Sequence, residues 1–239
     1  MRNWKEVSEK LWVKYRHFVP VLLYLVFYLA VFAYVENRPN HNLHLLSSAY
    51  DKMIPFCEVF VVPYLLWFVY ITVTVLYFGM IEKNKTEFYE LITNLSIGMT
   101  LFLIISLLWP NGHTLRPITF SRSNIFIELV KEVYRTDTST NIFPSIHVYN
   151  SVAAHIAIAR CQSLKKHPIV TKGSLILCIS IVAATLFIKQ HTIIDVIGAL
   201  FINFAAYCAI YLPQTELHRR HARSRVRQLS QKNRDHRIM

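Results

Sequence analysis

The stretch FVPVLLYLVFYLAVFAYV runs from Phe18 to Val35 without one Asp, Glu, Lys or Arg. A second, LITNLSIGMTLFLIISLLW, does the same from Leu91 to Trp109. A helix that crosses a hydrocarbon core needs about 20 apolar residues, and both stretches approach that length. Working outward, apolar spans are expected near 18–35, 55–80, 91–109, 143–160, 170–189 and 191–212. The reading is all-α: an integral membrane bundle of six transmembrane helices in one domain over 1–239. The bundle fills 18–212, preceded by a segment 1–17 and followed by a basic tail 213–239. Pro55 and Pro63 predict tilt or a kink in the second span. The fifth and sixth spans are nearly continuous, so a very tight turn is expected around Lys189–His191.

Composition agrees. The chain is 54% hydrophobic and 17% charged, where a soluble domain carries roughly 25% charged residues. The formal charge of +12 invites a nucleic-acid reading, but the location of the charge argues against that partner. Lys and Arg gather in the first 17 residues, in Arg160–Lys172 and from Arg219 onward, which all flank spans. Basic flanks mark the cytoplasmic side and bind anionic headgroups. With a cytoplasmic N-terminus the inside segments hold nineteen Lys and Arg, the outside segments seven. Both termini are therefore expected in the cytoplasm of a multi-pass protein of the cell membrane.

Residues 2–17 place Trp4, Val7, Leu11, Trp12 and Tyr15 at helical spacing among Arg2, Lys5, Lys10, Lys14 and Arg16. That is the pattern of an amphipathic interfacial helix. No cleavable leader is expected, since no small-residue site follows the first apolar run. Cys57, Cys161, Cys178 and Cys208 form no C-x-x-C pair and read as apolar packing residues.

Three polar clusters interrupt the apolar pattern: Trp109-Pro-Asn-Gly-His-Thr-Leu-Arg116-Pro117, Phe143-Pro-Ser-Ile-His147 and Lys189-Gln-His-Thr-Ile-Ile-Asp195. The six-span layout brings all three to one face, which the charge count makes extracytoplasmic. Each cluster suits phosphate. Arg116 offers a planar fork for two phosphate oxygens. Ser145 opens a helix whose free N–H groups and dipole favour an anion. His191 and Asp195 stand four apart and share a helical face. The carboxylate can hold one ring nitrogen while the other attacks phosphorus, and His147 can protonate the leaving oxygen. A carboxylate such as Asp195 inside an apolar span is costly and calls for a partner.

Other residues carry open readings. His155 lies in a row with His147 and Ser151 and reads as a hydrogen-bonded bundle residue. Glu58 and His113 are open between a direct role and none. Residues 123–134 are read either as an interfacial helix over the site or as a packed extramembrane loop. A metal hydrolase using His113, His147, His191 and Asp195 is the weaker alternative, because no H-E-x-x-H pair is present. No metal and no cofactor are expected.

With these motifs quoted, residues 109–200 resemble the type 2 phosphatidic acid phosphatase family, whose motifs run K-x6-R-P, P-S-G-H and S-R-x5-H-x3-D. The resemblance implies phosphate contacts from Arg116 and Ser145, a general acid at His147, a nucleophile at His191 and an orienting carboxylate at Asp195. It implies a phosphohistidine resolved by water, without metal. Trp109 stands where the family has Lys, Ile146 where it has Gly, and Ala184-Thr185 where it has Ser-Arg. Lys189 and His113 are the expected substitutes for the missing phosphate ligands. The form F-P-S-x-H also resembles the branch of inositol phosphorylceramide and sphingomyelin synthases, which pass a phosphoryl headgroup to an alcohol. The expected substrate is a lipid phosphate (a phosphomonoester or diphosphate). Transfer to an alcohol, or lipid binding without catalysis, are the competing readings.

Overall fold

A computed structural model describes residues 4–39 and 42–213. It is an all-α membrane bundle. Helices α1 (Trp4–Tyr15) and α2 (Val19–Asn37) are joined by a 3₁₀ turn over Arg16–Phe18. They are followed by α3 (Val61–Leu76), α4 (Lys85–Leu108), α5 (Ile125–Thr136), α6 (Ile146–Arg160) and α7 (Pro168–Phe187). The last described helix, α8, covers Ile193–Pro213. Two short strands, β1 (His44–Leu45) and β2 (Asn111–Gly112), pair in parallel. The chain divides into a unit ending at Asn203 and a second beginning at Phe204. The described part of the second unit is the end of α8. The basic tail from residue 214 lies outside the described residues.

Among the described residues, five helical runs are long and apolar enough to cross a membrane: Glu6–Asn37, Glu58–Ile81, Lys85–Leu108, Pro168–Phe187 and Ile193–Pro213. Their outer faces carry exposed Leu23, Val26, Val73 and Ile176. Such faces are solvated by lipid, where a helix closes all its backbone bonds internally.

The fourth expected span, 143–160, is different. Phe143 and Pro144 form a bend with a cis bond between them, Ser145 is extended, and α6 has 15 residues. At 1.5 Å per residue that is roughly 23 Å, short of a hydrocarbon core of about 30 Å. Yet α6 is the central helix, packed against α3, α4 and α7. Val148, Tyr149, Asn150, Ser151, Ala153, Ala154 and Ala157 are all buried along it. Because protein rather than lipid surrounds α6, it tolerates the polar residues that lower its apolar signal in sequence.

Other boundaries also shift. The second span begins at Glu58 rather than Pro55, and Pro63 falls in the first turn of α3. A first-turn proline removes no intrahelical bond, so it leaves the helix unbroken. The irregularity lies instead at the far end, in a π turn over Tyr77–Ile81. The carbonyl of Gly79 in this turn accepts from His17 Nε2 at 2.9 Å and Lys85 Nζ at 2.7 Å.

Residues 125–136 form a helix, so the stretch is not an irregular loop. Val130 and Val133 of α5 pack on Val61 and Tyr64 of α3 and Ala184 and Ile188 at the end of α7. Its first turn is capped by Asn124, whose Oδ1 accepts from Ile127 N at 2.9 Å. The same asparagine donates Nδ2 to Glu58 Oε1 at 3.1 Å, with Arg122 paired to that oxygen at 3.5 Å. Glu58 thus seats the entry to α5. His155 Nδ1 lies 3.1 Å from Ser174 Oγ, which bonds Tyr70 Oη at 2.7 Å. That chain across α6, α7 and α3 is the bundle role expected of His155.

Candidate functional site

Asn111 stitches the first polar cluster to the second. It is fully buried, and its Oδ1 accepts from Ile142 N at 3.0 Å and Phe143 N at 2.9 Å. Its carbonyl accepts from Asn141 N at 2.5 Å, while Asn141 adopts φ 52°, a left-handed conformation that asparagine tolerates. Phe143 in turn leans on Gly198 of α8, where a Cβ would come within 2.3 Å of its ring. Only a glycine permits that approach, which draws the lead into α6 against the start of α8.

At this junction Ser145 N donates to Asp195 O at 3.4 Å, and Ser145 Oγ caps α6 by accepting from Val148 N at 3.4 Å. His147 follows in the first turn. Its ring lies 4.4 Å from Tyr64 and 4.4 Å from Trp67, both on α3. The His147 and His191 rings are 5.7 Å apart, and His191 Nδ1 is 3.5 Å from Asp195 Oδ2. All three residues are buried, and His147 Nδ1, His191 Nδ1 and Asp195 Oδ1 have no hydrogen-bond partner among the described residues. Buried polar atoms are normally satisfied, so three orphans in one place mark a functional candidate.

Asp195 has a second task. Its Oδ2 accepts from Thr192 N at 2.7 Å, and its own N–H donates to Thr192 Oγ1 at 3.3 Å. That is a reciprocal capping box at the start of α8. Its T-x-x-D spacing was legible in the sequence.

The expected phosphate ligands surround the histidines but are engaged elsewhere. Arg116 Nη1 donates to Tyr134 O at 3.1 Å, and Nη2 donates to Asp137 O and Thr138 O, each at 2.7 Å. Nη2 also meets Gln190 Oε1, leaving only Nε without a partner. The guanidinium rests over the Tyr134 ring at 4.4 Å. Lys189 Nζ donates to Asp51 O at 2.8 Å and Ile54 O at 2.5 Å. Lys189 itself sits at φ 56°, a conformation that costs a non-glycine residue about 1–2 kcal/mol and concentrates at functional sites. His113 Nδ1 accepts from Leu115 N at 3.0 Å, so its Nε2 carries the proton donated to Gln190 O at 2.9 Å. These three residues brace loops. Thr185, where the resembled motif has Arg, and Ala184, where it has Ser, are buried in α7, and Thr185 O accepts from Gln190 N and His191 N.

Burial pushes His113 down to about 4, reinforced by Arg116 and opposed by the Gln190 carbonyl. The folded value lies below the usual 6.5, so His113 adds nothing to pH dependence above about 6.5. As pH falls from there toward 4, the unfolded chain takes up a proton the fold refuses, and stability drops. The thermal midpoint of the wild type should therefore fall more between pH 7.5 and 5 than that of His113→Gln, which keeps a donor and an acceptor but cannot titrate. Equal slopes would remove His113 as a source of acid sensitivity.

Two residues of the site had no motif to mark them. One is Gln190, inside the third polar cluster but matching no catalytic motif. Asp51, 1% exposed, accepts from Ile193 N at 2.8 Å and from Ser48 N at 2.5 Å. It caps α8 from a distant loop. Asp51→Ala should cost about 2 kcal/mol, seen as a thermal midpoint several degrees lower in detergent. A midpoint within one degree of wild type would contradict this role.

Among the described residues, one set of three ligating side chains lies within 4.8 Å of one another: Glu82, Glu87 and Cys161. It sits at the other ends of α4 and α6, away from the histidines. His147, His191 and Asp195 do not converge in that way. Two surface grooves are apolar: one of 390 Å³ between α3 and α7, lined by residues such as Phe60, Leu66 and Gly173, the other of 470 Å³ along α4. No protein-family model, curated protein or solved structure matches the chain.

Proposed function

We propose that the chain is a membrane lipid phosphatase of the type 2 phosphatidic acid phosphatase kind, working through a phosphohistidine. One observation carries the reading: two buried imidazoles 5.7 Å apart, each with an unpartnered Nδ1, one of them 3.5 Å from a buried carboxylate. With Nδ1 of His191 turned to Asp195, its Nε2 attacks phosphorus as the bond to the lipid oxygen breaks. His147 supplies the proton to that oxygen. Water then attacks the phosphohistidine, releasing phosphate and returning His191. The reaction needs no metal and no cofactor.

The layout proposed is six spans, with α6 crossing as a short central helix, both termini cytoplasmic, and the histidines toward the extracytoplasmic face of the cell membrane. The positive-inside bias supports this orientation. Helix α1 lies at the membrane surface, where its exposed Trp4, Leu11 and Trp12 enter the interface and its basic residues meet anionic headgroups.

A second reading has its own support. Arg116 and Lys189 are bonded to carbonyls, and a dianionic phosphomonoester calls for free cations. A monoanionic phosphodiester asks for less, which favours a phosphotransferase that hands the headgroup to an alcohol.

The test is phosphate release from a panel of lipid phosphomonoesters and diphosphates by purified protein in detergent, with chelator present. Release supports the phosphatase. Product formed only when an alcohol and a phosphodiester lipid are supplied supports the transferase. Neither result leaves a lipid-binding protein and rejects the enzymatic reading.

A further inference from the structure

Gln190 is 2% exposed and precedes His191 in the turn between α7 and α8. Every polar group of its side chain is used. Oε1 accepts from Arg116, and Nε2 donates to Tyr64 Oη and Asp137 Oδ2, each at 3.3 Å. Tyr64 Oη also donates to Asp137 Oδ2. The main chain is held as firmly: Gln190 N donates to Thr185 O at 2.9 Å, and Gln190 O accepts from His113 Nε2. One residue thus gathers bonds from α3, α7, the loop after α4 and the segment after α5.

Its neighbours make this more than packing. On one side Gln190 is covalently bound to His191. On the other its amide holds Tyr64, whose ring stacks on His147 at 4.4 Å and 29°. The turn also contains Lys189 at φ 56°, a backbone that persists only where its surroundings over-determine it. We propose that Gln190 is the positioning residue that sets the spacing of His147 and His191, and that Arg116 and His113 act on the reaction through it. This rests on the phosphohistidine reading given above. It assigns Arg116 the work of fixing Gln190 and the carbonyls of Tyr134, Asp137 and Thr138 instead of gripping phosphate.

Misplacing reacting groups by about 1 Å costs on the order of 10²-fold in rate. Gln190→Leu should therefore lower kcat roughly 10²-fold with KM within twofold of wild type, because no substrate contact is lost. Arg116→Met should do the same, and the double variant should be no slower than the slower single, as expected of residues acting as one unit. A KM rise at unchanged kcat for either variant, or multiplying effects in the double, would overturn the proposal.

A second measurement works without turnover. Diethyl pyrocarbonate labelling of the full-length protein in detergent, mapped by mass spectrometry, reports how tightly each imidazole is held. Gln190→Leu should raise labelling of His147 and His191 several-fold and leave exposed His167 unchanged. Unchanged labelling at both would dismiss Gln190 as the positioning residue even if the phosphatase reading stands. Raised labelling in a protein that processes no lipid phosphate would keep the positioning role and reject the reaction.

Discussion

His191→Ala abolishes phosphate release if the phosphohistidine route is correct. Loss of a nucleophile typically lowers kcat by about 10⁴–10⁶-fold, so a variant within tenfold of wild type would end the proposal. The substitution suits the test because it removes little structural support. His191 Nδ1 accepts and donates no hydrogen bond, and the loop around the residue is held by the backbone bonds to Thr185 O and by Lys189. The α8 capping box involves Asp195 and Thr192 and does not include the imidazole. The thermal midpoint should stay near wild type while activity disappears. Acid-labile, base-stable phosphate on the wild-type protein during turnover, absent from the variant, would locate the covalent step.

His147→Phe separates proton delivery from packing. A phenyl ring keeps the stacking on Tyr64 and Trp67, each 4.4 Å from the imidazole, and carries no proton. General acid catalysis contributes about 10²–10⁴-fold, so hydrolysis of a lipid phosphate with its basic alkoxide leaving group should fall by that factor. An aryl ester such as p-nitrophenyl phosphate leaves without help, and its release should fall far less. Equal losses on both esters would assign His147 a role in binding or structure instead. Burst kinetics adds a check: the variant should slow phosphohistidine formation with alkyl substrates more than its hydrolysis.

The sequence by itself determined the membrane class and most of the helices. Uncharged runs such as 18–35 and 91–109 leave lipid as the only compatible surroundings, and helices are how a single segment satisfies its backbone there. The tight turn near Lys189–His191 was legible from two apolar runs that nearly touch. So was the convergence of the three polar clusters, because the expected order of spans places their loops at one end. α6 was harder to delimit. Its centre is covered by protein, so its sequence was never required to be apolar over a full membrane thickness.

What the side chains do was decided only by tertiary structure. Arg116, Lys189 and His113 look like phosphate ligands when read as a charge list. In the fold their donors meet carbonyl oxygens of residues 134, 137, 138, 51, 54 and 190, which are remote in sequence and invisible to spacing. Buried carbonyls left by irregular loops demand donors, and these three side chains supply them. Asp51 and Gln190 carry no motif because their partners come from distant elements. A local pattern can report near neighbours in sequence, as with His191 in the turn before α8 and Asp195 in its first turn, but which loop will need a hydrogen bond is settled only when the helices pack.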